Sequence, residues 1–296
     1  MRIVIGGSSG FIGTALVKRL HTAGHDVVRL VRRESDAPDE ITWRPNEAPL
    51  DPAALDGVDA AINLAGVGVG DRRWDDAYKA LLRSSRVNAT QALAEAIAAA
   101  EHPPRVLLNS SAVGFYGDTG DREVDESTPA GEGFLPQMCQ AWEAATEAAE
   151  QAGVRVAHLR TGLVLGPGGG LLKPLLPLFR AGLGARLGNG RQYLPWISLN
   201  DTLSAIEFLL TADVAGAVNL TGPAPVTNAE FTATLGRLLH RPAVLTVPGF
   251  ALRLARGEFG TEAVASQRVL PAVLTLAGYA FHQRTVESAL RWSLHR

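Results

Sequence analysis

The chain has 296 residues, enough for one large α/β domain or one domain with a smaller appendage, and its 46% hydrophobic content allows a substantial core. The formal net charge is -2 and no block of like charge occurs, which argues against a nucleic-acid groove or an anionic membrane surface as the main partner. The single cysteine, Cys139, excludes an intrachain disulfide; with a first strand starting at residue 2 and no room for a signal peptide, the expected location is cytoplasmic.

Ile3-Val4-Ile5 is a short β-branched run of the kind a fully buried parallel strand carries. Gly7, Gly10 and Gly13 follow at G-x-x-G-x-x-G spacing, with Ser8 and Ser9 inside the turn, and Thr14 to Leu20 has helical spacing. Strand, glycine turn and helix in that order point to a dinucleotide site rather than an ordinary glycine-rich βα turn. The first glycine permits a tight turn, the second lets N–H groups approach a pyrophosphate, and the third lets the helix pack closely on the strand. The helix then meets the anion with unpaired N–H donors and its positive end. Asp26 to Val31 reads as the second parallel strand. An acidic residue at its tip, about 20 residues past the glycines, would hold the adenine ribose 2′-hydroxyl. The tip instead carries Arg32 and Arg33, and a guanidinium suits a 2′-phosphate. The expected cofactor is NADP(H) rather than NAD(H).

Ile41 to Trp43 is a short strand in a proline-rich stretch. Val58 to Leu64 is a buried strand ending in Asn63-Leu64-Ala65-Gly66, whose small residues leave room for adenosine and pyrophosphate. Arg72 to Arg86 reads as a charged helix with Trp74 and Tyr78 on one side; Arg86 either reaches the cofactor or is solvated. Asn88 to Ala100 is alanine-rich and helical, and Pro103-Pro104 ends it. Val106 to Leu108 is a strand that runs into Asn109-Ser110-Ser111-Ala112 and on to Tyr116-Gly117, placing hydroxyls at the sheet edge where ligands bind. Asp118 to Pro136 is a polar lid loop, Gln137 to Ala152 one helix closed by Gly153, and Val154 to Leu159 the sixth strand.

Glycines and prolines crowd Gly168 to Pro195. The apolar part of that stretch, Gly169 to Leu187, is interrupted by Lys173, Arg180 and Arg186 and does not read as a membrane span. Asn200 or Asp201 caps a helix over Thr202 to Leu210, Ala217 to Leu220 is a further sheet strand, and Ala229 to Leu239 is helical. The seven histidines are scattered without ligand spacing, so no metal site is expected. The fold class is α/β: a Rossmann-type, doubly wound parallel sheet with a smaller interleaved C-terminal lobe. The nucleotide-binding part spans residues 1–165, with 196–222 returning to it, and the substrate lobe spans 166–296.

The opening G-G-x-x-G-F-I-G, the N-L-A-G strand end, S-S-A-V-G-F-Y-G and W-I-S-L-N-D together resemble the extended short-chain dehydrogenases/reductases, the NAD(P)-dependent epimerase/dehydratase superfamily. Arg72-Arg73-Trp74, Ser85-Arg86, Trp142-Glu143, Arg160 to Gly166, Gly188 to Gln192 and Gly278-Tyr279 make the chain similar to one atypical branch, the "epimerase family proteins" with a C-terminal domain of unknown function. The resemblance implies a sheet of about seven strands. It implies that Gly7, Gly10, Phe11, Ile12 and Gly13 hold the pyrophosphate and that Arg32 holds the 2′-phosphate. Leu64 and Ala65 would follow the adenosine path, and Arg86 and Val164 would line the cofactor.

Active members of that superfamily use a Ser or Thr, a Tyr and a Lys four residues later. By position these slots fall on Ala112, Cys139 and Glu143. The chain has 25 arginines but only three lysines, Lys18, Lys79 and Lys173, and none lies on the helix in question. The nearest ionisable or hydroxyl groups are Glu143, Cys139, Tyr116 and Ser111. Read alone, the helix is also consistent with Trp142 and Cys139 in the core and Glu143 as a partly solvated charge. Arg191, Gln192 and Trp196 suit an anionic or hydroxylated ligand and a stacking face, or equally a strut between lobes. The expected function is NADP(H)-dependent oxidoreductase or epimerase-like chemistry on a small polar substrate, or a non-catalytic NADP(H)-binding regulator. The sequence points to no nucleic-acid or membrane partner and is compatible with a homodimer.

Overall fold

In the computed structural model, which describes residues 1–262 and 264–295, Ile3, Val4 and Ile5 have no exposed surface. They lie in β1 (Arg2–Gly6), and a parallel strand covered on both faces needs apolar side chains pointing both ways. Chain order continues through α1 (Phe11–Thr22), β2 (Asp26–Val31), β3 (Glu40–Thr42), β4 (Ala60–Asn63), α2 (Asp76–Ala99) and β5 (Val106–Ala112). It then runs through α3 (Phe134–Ala144), β6 (Arg155–Thr161), α4 (Leu199–Leu209) and β7 (Gly216–Leu220). The seven strands form one sheet in the order β7-β6-β5-β4-β1-β2-β3, and every pairing in it is parallel.

Ile3 and Ile5 join Leu16 and Leu20 of α1 and Ile206 and Leu209 of α4 on one face of the sheet. Val4 joins Leu93 and Ile97 of α2 on the other. The strand order reverses between β1 and β4, where Gly6 pairs with Asn63. Helices leave in opposite directions at such a reversal, and a crevice opens beyond the carboxyl ends of the strands.

The stretch after β6 builds a small sheet from Leu163–Gly166, Gly169–Gly170 and Trp196–Ser198. Helices Leu172–Arg180, Asn228–Leu238 and Val286–Leu294 surround it, sharing a core that includes Phe179, Trp196, Phe231 and Leu290. No helix among the described residues is long and apolar enough to cross a membrane.

Some boundaries differ from the sequence expectation for local reasons. The helices expected over Arg72 to Arg86 and Asn88 to Ala100 are one helix, α2, which begins only after Asp75 caps it by accepting from the Tyr78 N–H at 2.7 Å. The single helix expected over Gln137 to Ala152 is two. It starts at Phe134 and breaks at Ala145–Thr146 before Glu147–Gln151, where the Thr146 hydroxyl sits 2.8 Å from the Glu143 carbonyl and 2.9 Å from Glu150 Oε1. The lid loop is not wholly irregular, because Glu123–Val124 pairs with Arg268–Val269.

Two carboxylates tie the C-terminal segment to the sheet. Asp201, 1% exposed at the start of α4, accepts from the backbone N–H of His282 at 2.7 Å and of Gln283 at 3.0 Å. Glu126 of the lid loop accepts from the N–H of Asn219 at 2.9 Å, Ala272 at 3.1 Å and Val273 at 3.3 Å. Asp201→Ala leaves buried donors without an acceptor, and urea denaturation of that variant should show a loss of about 2–4 kcal/mol.

Candidate functional site

The turn between β1 and α1 brings backbone against backbone. Gly7 has φ +77, and a Cβ on it would lie 2.8 Å from the Ala65 nitrogen; a Cβ on Gly13 would lie 2.9 Å from Ser8 Cα. Only glycine fits either place. Gly10 is the N-cap of α1 and offers no side-chain cap, while the helix ladder begins with the Thr14 N–H on the Gly10 carbonyl at 2.9 Å. The N–H groups of Phe11, Ile12 and Gly13 precede that first bond and have no intrahelical acceptor. This end of the helix can receive an anion. Ser8, Ser9 and Gly10 form its accessible rim.

At the tip of β2 the two arginines separate. Arg33 is tied to Glu40 at 2.6 Å, an acid already shared with Arg29 at 2.8 Å. Arg32 is exposed, and among the described residues its guanidinium has no hydrogen bond or ion pair; only its carbonyl is engaged, by Arg44 Nε at 2.9 Å. Leu64, Ala65 and Gly66 face the glycine turn across the crevice, and the Leu64 N–H donates to Gly6 O at 2.9 Å. Arg86 is not solvated. It is 8% exposed, donates to the carbonyls of Leu82 at 2.9 Å and Val67 at 2.8 Å, and lies 5.1 Å over the Trp142 ring. It braces the loop from beneath, and burial pushes its pKa down.

Glu143, Ser111 and Tyr116 come together at the carboxyl ends of β5 and β6, around a residue that sequence reading gave no role. Arg160 of β6 grips Glu143 with two bonds, Nε to Oε1 and Nη2 to Oε2, both at 2.8 Å. Ser111 Oγ donates to Glu143 Oε1 at 2.6 Å, Arg160 Nη1 donates to the Tyr116 hydroxyl at 3.0 Å, and that hydroxyl donates to Asn219 Oδ1 at 2.8 Å. Burial holds the Tyr116 pKa above its ordinary value. Arg160 was detectable in principle: an arginine inside the buried strand V-A-H-L-R must find a partner, and an acid facing it from the neighbouring helix is the economical one. Asn219 carried no comparable signal.

Cys139 does not fit a reactive role. It has no exposed surface, its sulfur points at the Ala112 carbonyl 3.7 Å away, and burial together with the Glu143 charge pushes its pKa up to about 12. A nucleophilic thiol needs the opposite environment.

Further out, a cavity of about 390 Å³ is lined by Asp118, Asp121, Asn189, Arg191, Gln192 and Ser266, among others. Arg191 is exposed there. Gln192 is 7% exposed and spends its amide on the Leu187 carbonyl at 2.9 Å, so it braces the turn as well as lining the cavity. Trp196 offers no stacking face. It is 1% exposed in the lobe core, its indole N–H donates to the Ala224 carbonyl at 2.9 Å, and it packs so closely on Gly222 that a Cβ there would lie 2.8 Å from the ring. Val164 is 8% exposed, on the strand next to Trp196–Ser198. Among the described residues, no group of three or more His, Cys, Asp or Glu side chains is placed to hold a metal ion.

Glu143→Gln breaks a buried bidentate pair and strands Arg160, so thermal or urea unfolding should register a loss of about 3–5 kcal/mol. Adding Arg160→Met to that variant should recover part of it. Alkylation of Cys139 in the folded protein should stay negligible from pH 7 to pH 9, since the buried sulfur is out of reach and the thiolate remains a very small fraction throughout that range; full labelling should require denaturant.

The NAD dependent epimerase/dehydratase family matches residues 3–221, and a domain of unknown function, DUF1731, matches residues 247–293. Epimerase family protein Mb2239 of Mycobacterium bovis is 49% identical over 296 residues, covering 99% of this chain and 98% of that protein. The crystal structure of human epimerase family protein SDR39U1, isoform 2, with NADPH superposes with a TM-score of 0.92 at 34% identity, over 99% of both chains. A nucleoside-diphosphate sugar epimerase from Corynebacterium glutamicum superposes with a TM-score of 0.81 at 35% identity, over 99% of this chain and 58% of that one. With its first three-quarters matched by the family and near full-length relatives at these identities, the chain belongs to the NAD dependent epimerase/dehydratase family, in the group of epimerase family proteins that carry DUF1731 at the carboxy-terminal end.

Proposed function

We propose that the chain binds NADP(H) at the carboxyl edge of its sheet and acts as an oxidoreductase or epimerase-like enzyme on a small polar substrate. The observation that carries this reading is the glycine cradle at the start of α1 combined with the uncommitted Arg32 guanidinium at the tip of β2. NADPH bound to the human relative supports it.

Gly7, Ser8, Ser9 and Gly10, with the backbone of Phe11, Ile12 and Gly13, would hold the pyrophosphate. Arg32 would pair with the 2′-phosphate, and Arg33, held back by Glu40, would add only long-range charge. Leu64, Ala65 and Gly66 would flank the adenosine on a loop kept in place by Arg86, and Val164 would close the far side. When bound, the cofactor supplies a hydride donor or acceptor. A small polar substrate would occupy the cavity beside Arg191 and Gln192.

Of the groups at the reacting end, Glu143 opens furthest, with 12% of its side chain exposed. Both of its oxygens are already engaged, Oε1 by Arg160 and Ser111 and Oε2 by Arg160, so its role would be to hold those two side chains in place at the site. The same observation favours a second reading. A closed network without an available acid suits a protein that binds NADP(H) and signals its redox state without turnover. Consumption of NADPH against a panel of small carbonyl compounds favours the first reading; tight binding without consumption favours the second.

Arg32→Ala should weaken NADPH by about 10–100-fold, as expected for loss of charge-assisted bonds to a phosphate, and leave NADH nearly unchanged. Calorimetry with both reduced coenzymes reads this directly; equal losses for the two would remove the 2′-phosphate assignment.

A further inference from the structure

We infer that Phe11 is a positioning residue that couples the dinucleotide cradle to the C-terminal lobe, an inference that rests on the cofactor reading above. Phe11 opens α1, yet its ring turns away from the cradle and enters a socket made by three glycines of the hairpin that follows β6. A Cβ on Gly166 would lie 2.9 Å from Phe11 Cζ, and one on Gly170 would lie 2.9 Å from Phe11 Cε1. A Cβ on Gly169 would fall inside the ring edge, at Cδ2 and Cε2. Gly170 also needs glycine for its φ of +57, but neither Gly166 nor Gly169 has a positive φ. At those two positions close approach of neighbouring atoms, not backbone conformation, demands the missing side chain; at Gly169 the atoms are the ring's alone, while at Gly166 Leu199 crowds in as well.

The hairpin is not a passive wall. Leu165 pairs with Gly170 and Gly166 with Gly169, and the chain passes directly into Leu172–Arg180. Leu172 and Phe179 of that helix are buried in the lobe core, and Phe179 packs on Gly184, just ahead of the Gly188 to Gln192 turn that lines the cavity. The backbone of Phe11 therefore faces the anion site while its side chain seats in the first element of the lobe. An anion that fixes the first turn of α1 also fixes the ring, and through it the hairpin. Coupling of this kind requires a contact that differs between the free and bound states, and the inference is that the seating of the ring in its socket is that contact.

The test is hydrogen exchange over residues 166–171, which exclude the cofactor-lining Val164, with NADPH affinity measured in parallel by calorimetry. In the unmodified chain, saturating NADPH should slow exchange there by about tenfold, within the usual range of coupling between sites. Phe11→Ala, held at saturating NADPH, should lose that slowing. Phe11→Leu should restore part of it, and Gly169→Ala, which pushes the ring out, should reproduce the loss. The two milder variants decide the question if Phe11→Ala does not fold. NADPH binding without any change over 166–171, or unchanged slowing in Phe11→Ala, overturns the coupling and leaves the cofactor reading intact. Absence of NADPH binding to the unmodified chain overturns both.

Discussion

The molecule depends on one close approach, that of the turn after β1 to the first turn of α1 and to the loop after β4. Three backbone segments converge there with no room for a side chain at Gly7 or Gly13. The approach fixes where α1 starts, and so where its unpaired N–H groups point. It also fixes the spacing of β1 and β4, between which the strand order reverses and the crevice opens. Beneath the crevice a buried polar cluster holds the strand ends in register. Asn63 Nδ2 donates to Asn109 Oδ1 at 2.8 Å and to Thr90 Oγ1 at 3.0 Å, and the Trp142 indole N–H donates to the same Thr90 oxygen at 2.9 Å. Each of these groups is satisfied, so the cluster orients the floor without the penalty of a lone buried dipole.

At the opposite end of the crevice the charges are paired and internal. The carboxylate is Glu143, carried by α3. The cation comes from the neighbouring strand as Arg160, and the two neutralise each other within a buried network that also takes in Ser111 and Tyr116. A guanidinium can satisfy two carboxylate oxygens and a phenol at once, which an ammonium on a flexible stem does less well. The result is a rigid, locally neutral floor.

Sequence and structure agree most where physics is local. Ile3-Val4-Ile5 announces a two-sided buried strand and the spaced glycines announce the turn, because each depends on neighbours a few residues away. What stayed hidden depends on long-range partners. Nothing near Arg33 says that Glu40 will occupy it, and nothing near Trp196 says that Gly222 will receive its ring. Arg86 could not be divided between solvent and crevice until the Val67 carbonyl and the Trp142 ring were seen to claim it. The break at Thr146 escaped because it contains no proline or glycine. The role of Arg160 lay between these extremes, since its presence in a buried strand was visible but its partner was not.

The carboxylates of Glu126 and Asp201 have a bearing on how such a chain can evolve. Both sit in the part matched by the epimerase/dehydratase family, and both spend their oxygens on N–H groups of the part matched by DUF1731. Main-chain donors are present whatever side chains the carboxy-terminal segment carries, so that segment can drift widely in sequence while its grip persists. Loss of the whole segment is another matter, because it would remove the donors from residues 272, 273, 282 and 283 and leave Glu126 with the Asn219 N–H and Asp201 with the Ser198 hydroxyl. The joint thus leaves freedom of side chain on one face and asks for two particular carboxylates on the other.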